Sequence, residues 1–205
     1  MLDIYKIIMK VILGTAHGSN VSGKCSPDKS IIEYQWSREM CIMIKERLDE
    51  LGIDCVIDIL EPYEKSLNYR AQLVNKIVRE SNDDCIYISV HLNAAGGGSK
   101  WHNATGWTVY VYNKCSEKSK ALALSLFDVA QEKDLFGNRC LPATGYYTAN
   151  LCVLRETICP AILTENLFQD NKKEVEYLLS DEGKENICDL HVQGILNYIE
   201  STHQN

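Results

Sequence analysis

Four residues with side chains suited to hydrolytic chemistry stand near the ends of predicted elements: His17, Glu33, His91 and Glu165. His17, His91 and Glu165 end apolar runs, and Glu33 opens the first helical segment. Ligands of open α/β sheets sit beyond the carboxyl ends of the strands, so these side chains can converge on one point. Two imidazoles and one carboxylate form a known catalytic zinc set with the fourth position left to water. The four residues form no short local motif such as HExxH, so spacing alone leaves this assignment open.

Each of the four residues also has an ordinary structural explanation. Glu33 completes the pattern Ser30-x-x-Glu33, a capping box in which the carboxylate satisfies backbone amides. His91 follows an apolar strand and can be a hydrogen-bonded core histidine, while His17 can mark a simple turn into a loop. Glu165 ends a buried strand, where a carboxylate needs a partner or a function.

The elements that must position these residues alternate between short apolar runs and longer helical patterns. We predict strands over 7–16, 55–60, 85–92, 107–112, 152–156 and 160–165, and helices over 30–51, 67–79, 116–132 and about 172–201, with a break near 181–184. The stretch 138–150 is irregular. This alternation predicts an α/β fold, a single domain over 1–205 with a mostly parallel twisted β-sheet of about six strands flanked by helices.

The composition excludes several classes of protein. The chain of 205 residues is 45% hydrophobic and 24% charged, with a formal net charge of −7. No stretch approaches the ~18 apolar residues needed to span a bilayer, so we expect no stable membrane association. An acidic chain lacks the basic face that nucleic acids require, and we expect no nucleic-acid partner.

The N-terminal segment resembles an export signal only superficially. Asp3 lies in the would-be basic region and Lys10 divides the apolar part. We therefore interpret this segment as a strand and expect the protein to accumulate in the cytoplasm.

The nine cysteines indicate reduced thiols. Their number is odd and no CxxC pair occurs, which argues against a thiolate zinc site or a thioredoxin-type site. Several lie inside apolar segments, where a free cysteine acts as a small hydrophobic residue. We predict no disulfide framework.

Six segments, in order along nearly the whole chain, resemble one known family. They are VILGTAHG, SIIEYQWSREM, LNYRAQLVNKI, CIYISVHLNA, GWTVYVY and LCVLRETICPAILTEN. The fourth closely matches an (I/V)-S-(I/V)-H-x-N-A signature and is the most specific of them. Together they resemble the zinc-dependent N-acetylmuramoyl-L-alanine amidases of the type-3 family, which includes phage endolysins and cell-separation enzymes.

The resemblance implies a function and a role for each candidate residue. It implies one Zn²⁺ per chain held by His17, Glu33 and His91, with Glu165 catalytic. The implied substrate is peptidoglycan, cleaved by zinc-activated water at the amide between the lactyl group of N-acetylmuramic acid and L-alanine. It also implies a monomeric, endolysin-like enzyme that waits in the cytoplasm until it is released to the cell wall.

Other residues support weaker predictions. Asn93 lies two positions beyond His91, on the same side of the strand, and can bond substrate or orient a ligand. Arg155 can meet a peptide carboxylate in a bidentate pair, or form an internal ion pair. His191 lies on the apolar stripe of the last helix, and Trp107 favours the core, so both are predicted to be structural.

The chain departs from the family pattern at three places. Ser19 stands where a second glycine often follows His-Gly. Leu167 stands where family members commonly have glycine, and leucine disfavours the left-handed conformation, so we expect a different backbone beyond Glu165. No appended wall-binding domain is expected.

Two other functions fit parts of the pattern. A zinc carboxypeptidase- or aminopeptidase-like hydrolase uses similar ligands on a peptide terminus, and the end group released from cell wall distinguishes it from an amidase. A catalytically inert wall-binding module keeps the fold. The presence of all four candidate residues argues against the inert module.

Overall fold

Six strands and six helices alternate along residues 9–139 and 142–203, the part of the chain that the computed structural model describes. The strands are β1 (Met9–Thr15), β2 (Asp54–Ile57), β3 (Asp84–Asn93), β4 (Thr108–Tyr112), β5 (Tyr147–Ala149) and β6 (Ala161–Phe168). The helices are α1 (Glu33–Glu50), α2 (Leu67–Glu80), α3 (Glu117–Glu132), α4 (Cys152–Glu156), α5 (Lys172–Leu179) and α6 (Asp181–His203). The first two residues of the strand predicted over 7–16 lie outside the described residues.

The strands form one sheet in the order β2-β1-β3-β6-β4-β5. All neighbouring strands run parallel except β4 and β6, which are antiparallel. The predicted α/β class and mostly parallel six-stranded sheet are therefore confirmed. Because β1 and β3 are parallel neighbours, their carboxyl ends lie at the same edge of the sheet.

Helices cover both faces of this sheet. On one face, side chains of β1 and β3 pack into a large apolar cluster with α1, α3 and α6. On the other face, a smaller cluster joins β3 and β6 to α2 and α4. β3 is buried along nearly its whole length, as its continuous apolar sequence predicts for a strand covered on both faces.

The predicted strand over 152–156 is wrong, because these residues form the single-turn helix α4. The N–H of Arg155 donates to the carbonyl of Leu151, four residues earlier. Val153 and Leu154 are buried against the smaller apolar cluster. This segment has three apolar residues followed by Arg155 and Glu156, which is too short for its periodicity to separate a strand from one helical turn.

The end of the first helix and the break in the tail follow the predictions closely. Gly52 has a φ of +76° just after α1, and the N–H of Ile53 returns to the carbonyl of Leu48. This is the glycine-terminated helix end that the sequence predicts. The tail breaks at Ser180, between α5 and α6. The segment predicted to be irregular contains the short strand β5, which pairs with β4.

Two further features concern the cysteines and the helices. The eight cysteines among the described residues are all free thiols. Cys140 lies outside those residues. Over the same ranges, every helix is too short or too polar to cross a membrane.

Candidate active site

Side chains from three separate elements meet at the edge of the sheet where β1 and β3 end. Nε2 of His17 lies 3.6 Å from Oε1 of Glu33, and Nδ1 of His91 lies 3.1 Å from the same oxygen. The two imidazole rings meet edge to face, with centroids 5.2 Å apart. One donor atom from each residue lies within 4.8 Å of the other two. The structure thus brings the predicted His17, Glu33 and His91 together.

His17 is held in an uncommon backbone conformation immediately after β1. Its φ is +42°, in the left-handed region that costs a residue with a side chain roughly 1–2 kcal/mol. Two guanidinium groups donate to its carbonyl oxygen, from Arg38 at 3.0 Å and from Arg70 at 3.2 Å. Both arginines are buried. These charge-assisted hydrogen bonds fix the main chain of His17 and so direct its imidazole.

Ser37 fixes the start of α1 against the sheet. Its hydroxyl donates to the carbonyl of Val90 at 2.6 Å and accepts from the N–H of Ala16 at 2.8 Å, which joins the helix to the ends of β1 and β3. Glu33 lies one turn earlier on the same helix face. Its Oε1 accepts a hydrogen bond from the N–H of Leu92 at 3.2 Å. The carboxylate is therefore fixed between the two histidines.

The capping box that the sequence suggested is absent from this helix. α1 begins at Glu33, and Ile32 is its N-cap, with no side-chain capping bond. The Ser30 hydroxyl instead donates to Asp28 at 2.7 Å. Glu33 is the first residue of α1, and its carboxylate accepts from Leu92 of β3 instead of from a backbone amide of its own helix.

The imidazole of His91 is oriented by hydrogen-bonding groups on both sides. Its Nε2 lies 3.0 Å from the hydroxyl of Ser89, two residues earlier on β3. Without a metal, Nδ1 can donate its proton to Oε1 of Glu33. To bind a metal, Nδ1 must lose this proton, and Nε2 then carries the ring proton and donates to the Ser89 hydroxyl. That tautomer is the one a metal ligand requires.

The electrostatic environment of the site shifts the pKa values of His17 and Glu33. Burial lowers the pKa of His17 to about 4, although the Glu33 carboxylate opposes this shift. Burial alone would raise the pKa of Glu33, but the hydrogen bond and charge of His91 outweigh it and the net pKa is lowered. At neutral pH, His17 is therefore uncharged and Glu33 is ionised.

The residues present fit a zinc ion. Oε2 of Glu33 is buried and has no hydrogen-bond partner among the described residues. A buried carboxylate oxygen without a partner is costly, and a cation removes that cost. Two histidine nitrogens and one carboxylate oxygen form a donor set of catalytic zinc sites, in which one position stays open.

Glu165 lies directly beside this set. It pairs with His91 in the parallel register of β3 and β6, so both side chains project from the same face of the sheet. Its Oε2 is buried without a partner among the described residues. Burial raises the pKa of Glu165 to about 7 against the opposing charge of His91, and the Glu33 carboxylate acts in the same direction as burial. A carboxyl group with such a pKa can gain and lose a proton near neutral pH.

The two predicted substrate contacts lie in different parts of the molecule. Asn93 is buried near the end of β3, and its Nδ2 has no partner among the described residues. Arg155 lies on α4 and forms an ion pair with Glu156 at 2.7 Å. Because α4 precedes the amino end of β6 and Glu165 lies toward its carboxyl end, the structure does not bring Arg155 to the four site residues.

Sequence reasoning missed a buried polar network behind the site. Nδ2 of Asn166 donates to the carbonyl of His91 at 2.9 Å and to the Thr164 hydroxyl at 3.1 Å. Oδ1 of Asn166 accepts from the indole of Trp107 at 2.9 Å, and Thr164 contacts Nε2 of His191 at 3.0 Å. Trp107 and His191 are structural, as predicted. The only signal in the sequence was a polar residue, Asn166, inside an apolar strand.

The expectation that Leu167 avoids the left-handed conformation is wrong. Its φ is +66°, and the pairing of β3 with β6 shifts register at this point, between His91 and Asn93. The leucine side chain is buried in the larger apolar cluster. Burying a leucine contributes roughly 1.5–3 kcal/mol, which offsets the roughly 1–2 kcal/mol that the conformation costs.

Comparisons with known proteins agree with this architecture. The family described as N-acetylmuramoyl-L-alanine amidase matches residues 11–197. The chain is 29% identical over 163 residues to the endolysin of Bacillus phage SPP1, covering 69% of this chain and 56% of that protein. It is 26% identical to the N-acetylmuramoyl-L-alanine amidase CwlM of Bacillus licheniformis, covering 92% and 68% of the two chains. The crystal structure of an N-acetylmuramoyl-L-alanine amidase from Clostridium difficile 630 superposes with a TM-score of 0.81 at 26% identity, covering 94% of this chain and 97% of that one.

Proposed function

This chain belongs to the N-acetylmuramoyl-L-alanine amidase family, and we propose that it hydrolyses the amide between the lactyl group of N-acetylmuramic acid and L-alanine in peptidoglycan. The chain spans 56% of the length of the phage SPP1 endolysin. The proposal therefore concerns the activity of residues 1–205 as one catalytic domain.

The observation that carries this proposal is the position of Glu165 beside the His17, Glu33 and His91 set. The donor atoms of His17, Glu33 and His91 lie within 4.8 Å of one another, and we assign these three residues as ligands of one zinc ion. Glu165 pairs with His91 on the same face of the sheet, and its free oxygen is buried. A ligand set with an adjacent, unpaired carboxylate is the arrangement that a metal-assisted hydrolase needs.

The chain's own residues supply the proton transfers. When bound, zinc supplies a Lewis acid that lowers the pKa of water and polarises the amide carbonyl. Oε2 of Glu165 takes a proton from the attacking water as the carbon–oxygen bond forms. Glu165 then returns that proton to the alanine nitrogen as the carbon–nitrogen bond breaks. The products are a free lactyl carboxylate and a peptide with a free L-alanine amine.

We further propose how the protein meets its substrate. A monomer suffices, because the four assigned residues come from one chain. The phage endolysin relative supports accumulation in the cytoplasm followed by release to the wall. We assign Asn93 as a substrate contact in preference to Arg155, because Nδ2 of Asn93 has no partner among the described residues.

The experiment follows purified peptidoglycan digested by the protein as isolated, after chelation and after zinc is added back. Free amines and reducing sugar ends are assayed in the same samples. Amines on L-alanine without reducing ends, lost on chelation and restored by zinc, are expected. Release of amino acids from peptide termini would instead identify a peptidase. Sedimentation with the wall but no released product, despite bound zinc, would identify an inert binding module.

A further inference from the structure

Two tyrosines extend the sheet face that carries Glu165. Tyr110 on β4 pairs with Tyr147 on β5, and their rings stack with centroids 5.2 Å apart and an interplanar angle of 23°. Thr108 on β4 pairs with Glu165. Because alternate residues of a strand share a face, Tyr110 projects on the same side as Glu165. We call Tyr110 and Tyr147 the tyrosine platform.

An arginine guanidinium lies over the Tyr147 ring of this platform. Cζ of Arg139 is 5.3 Å from the ring centroid of Tyr147 and 5.8 Å from that of Phe168. Phe168 ends β6, three residues beyond Glu165. Two aromatic rings on different strands therefore restrain the planar cation, an arrangement that suits arginine better than lysine.

The main chain next to Arg139 is anchored by its neighbour Asn138. The N–H of Asn138 donates to the Thr105 hydroxyl at 2.9 Å, and its Oδ1 accepts from the N–H of Thr105 at 3.0 Å. Nδ2 of Asn138 also donates to the carbonyl of Asn103 at 2.6 Å. These three hydrogen bonds fix the residue before Arg139, so the guanidinium is presented from a preorganised position.

Among the residues that the structure describes, the guanidinium of Arg139 forms no ion pair with a carboxylate. Every ion pair within 4.0 Å in the described ranges involves other residues. The side chain is half-buried and hydrogen-bonds to the side chain of Tyr110. Its charge acts to lower the pKa of Tyr110 and of Glu165. A restrained guanidinium without an ion-pair partner is a binding group for a carboxylate, which it meets with two parallel N–H donors.

The distance from the scissile bond selects which part of the substrate Arg139 can meet. β5 lies two strands from β6, which is roughly 10 Å at the spacing of a sheet. An extended peptide advances about 3.3–3.6 Å per residue. The residue after L-alanine, with a carboxyl group on its side chain or main chain, spans this distance from the cleaved nitrogen.

We propose that Arg139 and the tyrosine platform bind a free carboxylate of the stem peptide, on the residue that follows L-alanine. The inference rests on the proposed function, since it takes Glu165 as the position of the reacting amide. The platform lies under the peptide, and Arg139 closes on the carboxylate. This makes Arg139 a specificity-determining residue: the enzyme prefers stems with a free carboxylate over stems in which that group is amidated.

The first test compares hydrolysis of N-acetylmuramoyl-L-alanyl-D-glutamate with that of its diamide. We expect the parent protein to favour the diacid by about tenfold in kcat/KM. Arg139→Gln should bring this ratio close to one, mainly through a higher KM for the diacid, and Arg139→Lys should keep part of the preference. Arg79→Gln, which removes an exposed charge at the end of α2, is the matched control and should keep the full ratio.

The outcomes separate this inference from the proposed function. A parent protein that cleaves both substrates equally, or a preference that survives Arg139→Gln, overturns the carboxylate site while the amidase proposal stands. Collapse of the preference in Arg155→Gln instead would assign the contact to α4 and also overturn it. A parent that cleaves neither substrate contradicts the proposed function. Calorimetric titration of both compounds into Glu165→Gln, with and without Arg139→Gln, then decides the carboxylate site from binding alone.

Discussion

Nη2 of Arg70 lies 3.2 Å from the carbonyl oxygen of His17. Nη1 of the same guanidinium pairs with the buried carboxylate of Asp58 at 3.1 Å. Burial raises the pKa of Asp58, and the charge of Arg70 opposes that shift. One side chain therefore stabilises a buried acid and also holds the main chain of an assigned zinc ligand. The stability of the core and the geometry of the site are linked through this residue.

Replacing Arg70 by methionine should damage both properties. The change leaves Asp58 buried without its ion-pair partner, which typically costs about 3–5 kcal/mol. It also releases the His17 carbonyl, and loss of such a supporting contact typically weakens metal binding by about 10–100-fold. Urea unfolding of the chelated protein measures the first effect, and competitive titration with a zinc indicator measures the second.

The double variant Arg70→Met, Asp58→Asn separates the two effects. The Oδ1 atom of Asp58 accepts from the N–H groups of Thr15 and Ile59, and asparagine can keep both bonds without the buried charge. Stability should recover in large part, while zinc affinity stays low. Zinc affinity that recovers together with stability would show that Arg70 does not position His17.

Glu165→Gln should slow turnover strongly and retain the metal. The amide keeps the size of the side chain but cannot carry the proton between water and the leaving nitrogen. General acid–base groups typically contribute about 10²–10⁴-fold, and we expect a loss of that order in amine release from peptidoglycan. Zinc stoichiometry and affinity should stay within a few-fold of the parent.

The control for this variant is Glu132→Gln, an exposed glutamate at the end of α3. It removes one carboxylate far along the chain from the site and should digest the wall at the parental rate. If Glu165→Gln digests peptidoglycan as fast as this control, Glu165 is not the proton carrier. Loss of zinc from Glu165→Gln would instead assign it to the ligand set.

The sequence predicted the parts of this site that depend on strand ends. Apolar runs located β1 and β3, and parallel pairing then brought His17 and His91 to one edge. Parts that depend on tertiary contacts could not be predicted. The segment of α4 resembles a strand in sequence because its three apolar residues carry no clear period, and Arg139 lies in a segment with no regular pattern. The proposed role of Arg139 in binding a carboxylate depends on tertiary contacts alone: the rings of Tyr147 and Phe168 restrain its guanidinium, and Glu165 marks the position of the reacting amide.

The backbone at Leu167 also could not be predicted from local sequence, here because a tertiary contact overrides a local preference. A rule about leucine and the left-handed region predicted a different backbone, but burial of the side chain outweighs the local cost. The stabilisation from burying the side chain and the cost of the left-handed conformation can both be measured at this position. Leu167→Ala should destabilise the protein by about 2–5 kcal/mol through lost packing, since alanine keeps the strained φ of +66°.

Leu167→Gly loses about the same packing but relieves the strain. Glycine should therefore be more stable than alanine here by about 1 kcal/mol, the reverse of their usual order inside a regular strand or helix. Urea denaturation of the two variants side by side gives this difference directly. Alanine equal to or more stable than glycine would contradict a left-handed backbone at this position.

His191 should make stability depend on pH in a defined window. Burial lowers its pKa to about 4, although its hydrogen bond to the Ile187 carbonyl opposes the shift. The unfolded chain, with an ordinary histidine pKa of about 6.5, therefore binds more protons than the folded chain between these two values. The free energy of unfolding rises with pH wherever the unfolded state binds more protons. This contribution is fully present above about pH 6.5 and is lost as pH falls toward 4.

The variant His191→Gln isolates this contribution. Glutamine can still donate to Ile187 and accept from Thr164, but it does not titrate. The parent should lose up to about 1.4 kcal/mol per pH unit more than the variant across the window. Both proteins are measured after chelation, so that His17, whose pKa is also lowered to about 4, contributes equally to each. His102→Gln, at an exposed histidine, serves as the control. Parallel curves for the parent and His191→Gln would mean that His191 stays accessible to protons in the folded protein, and that the network of Thr164 and Asn166 behind the site is open to water.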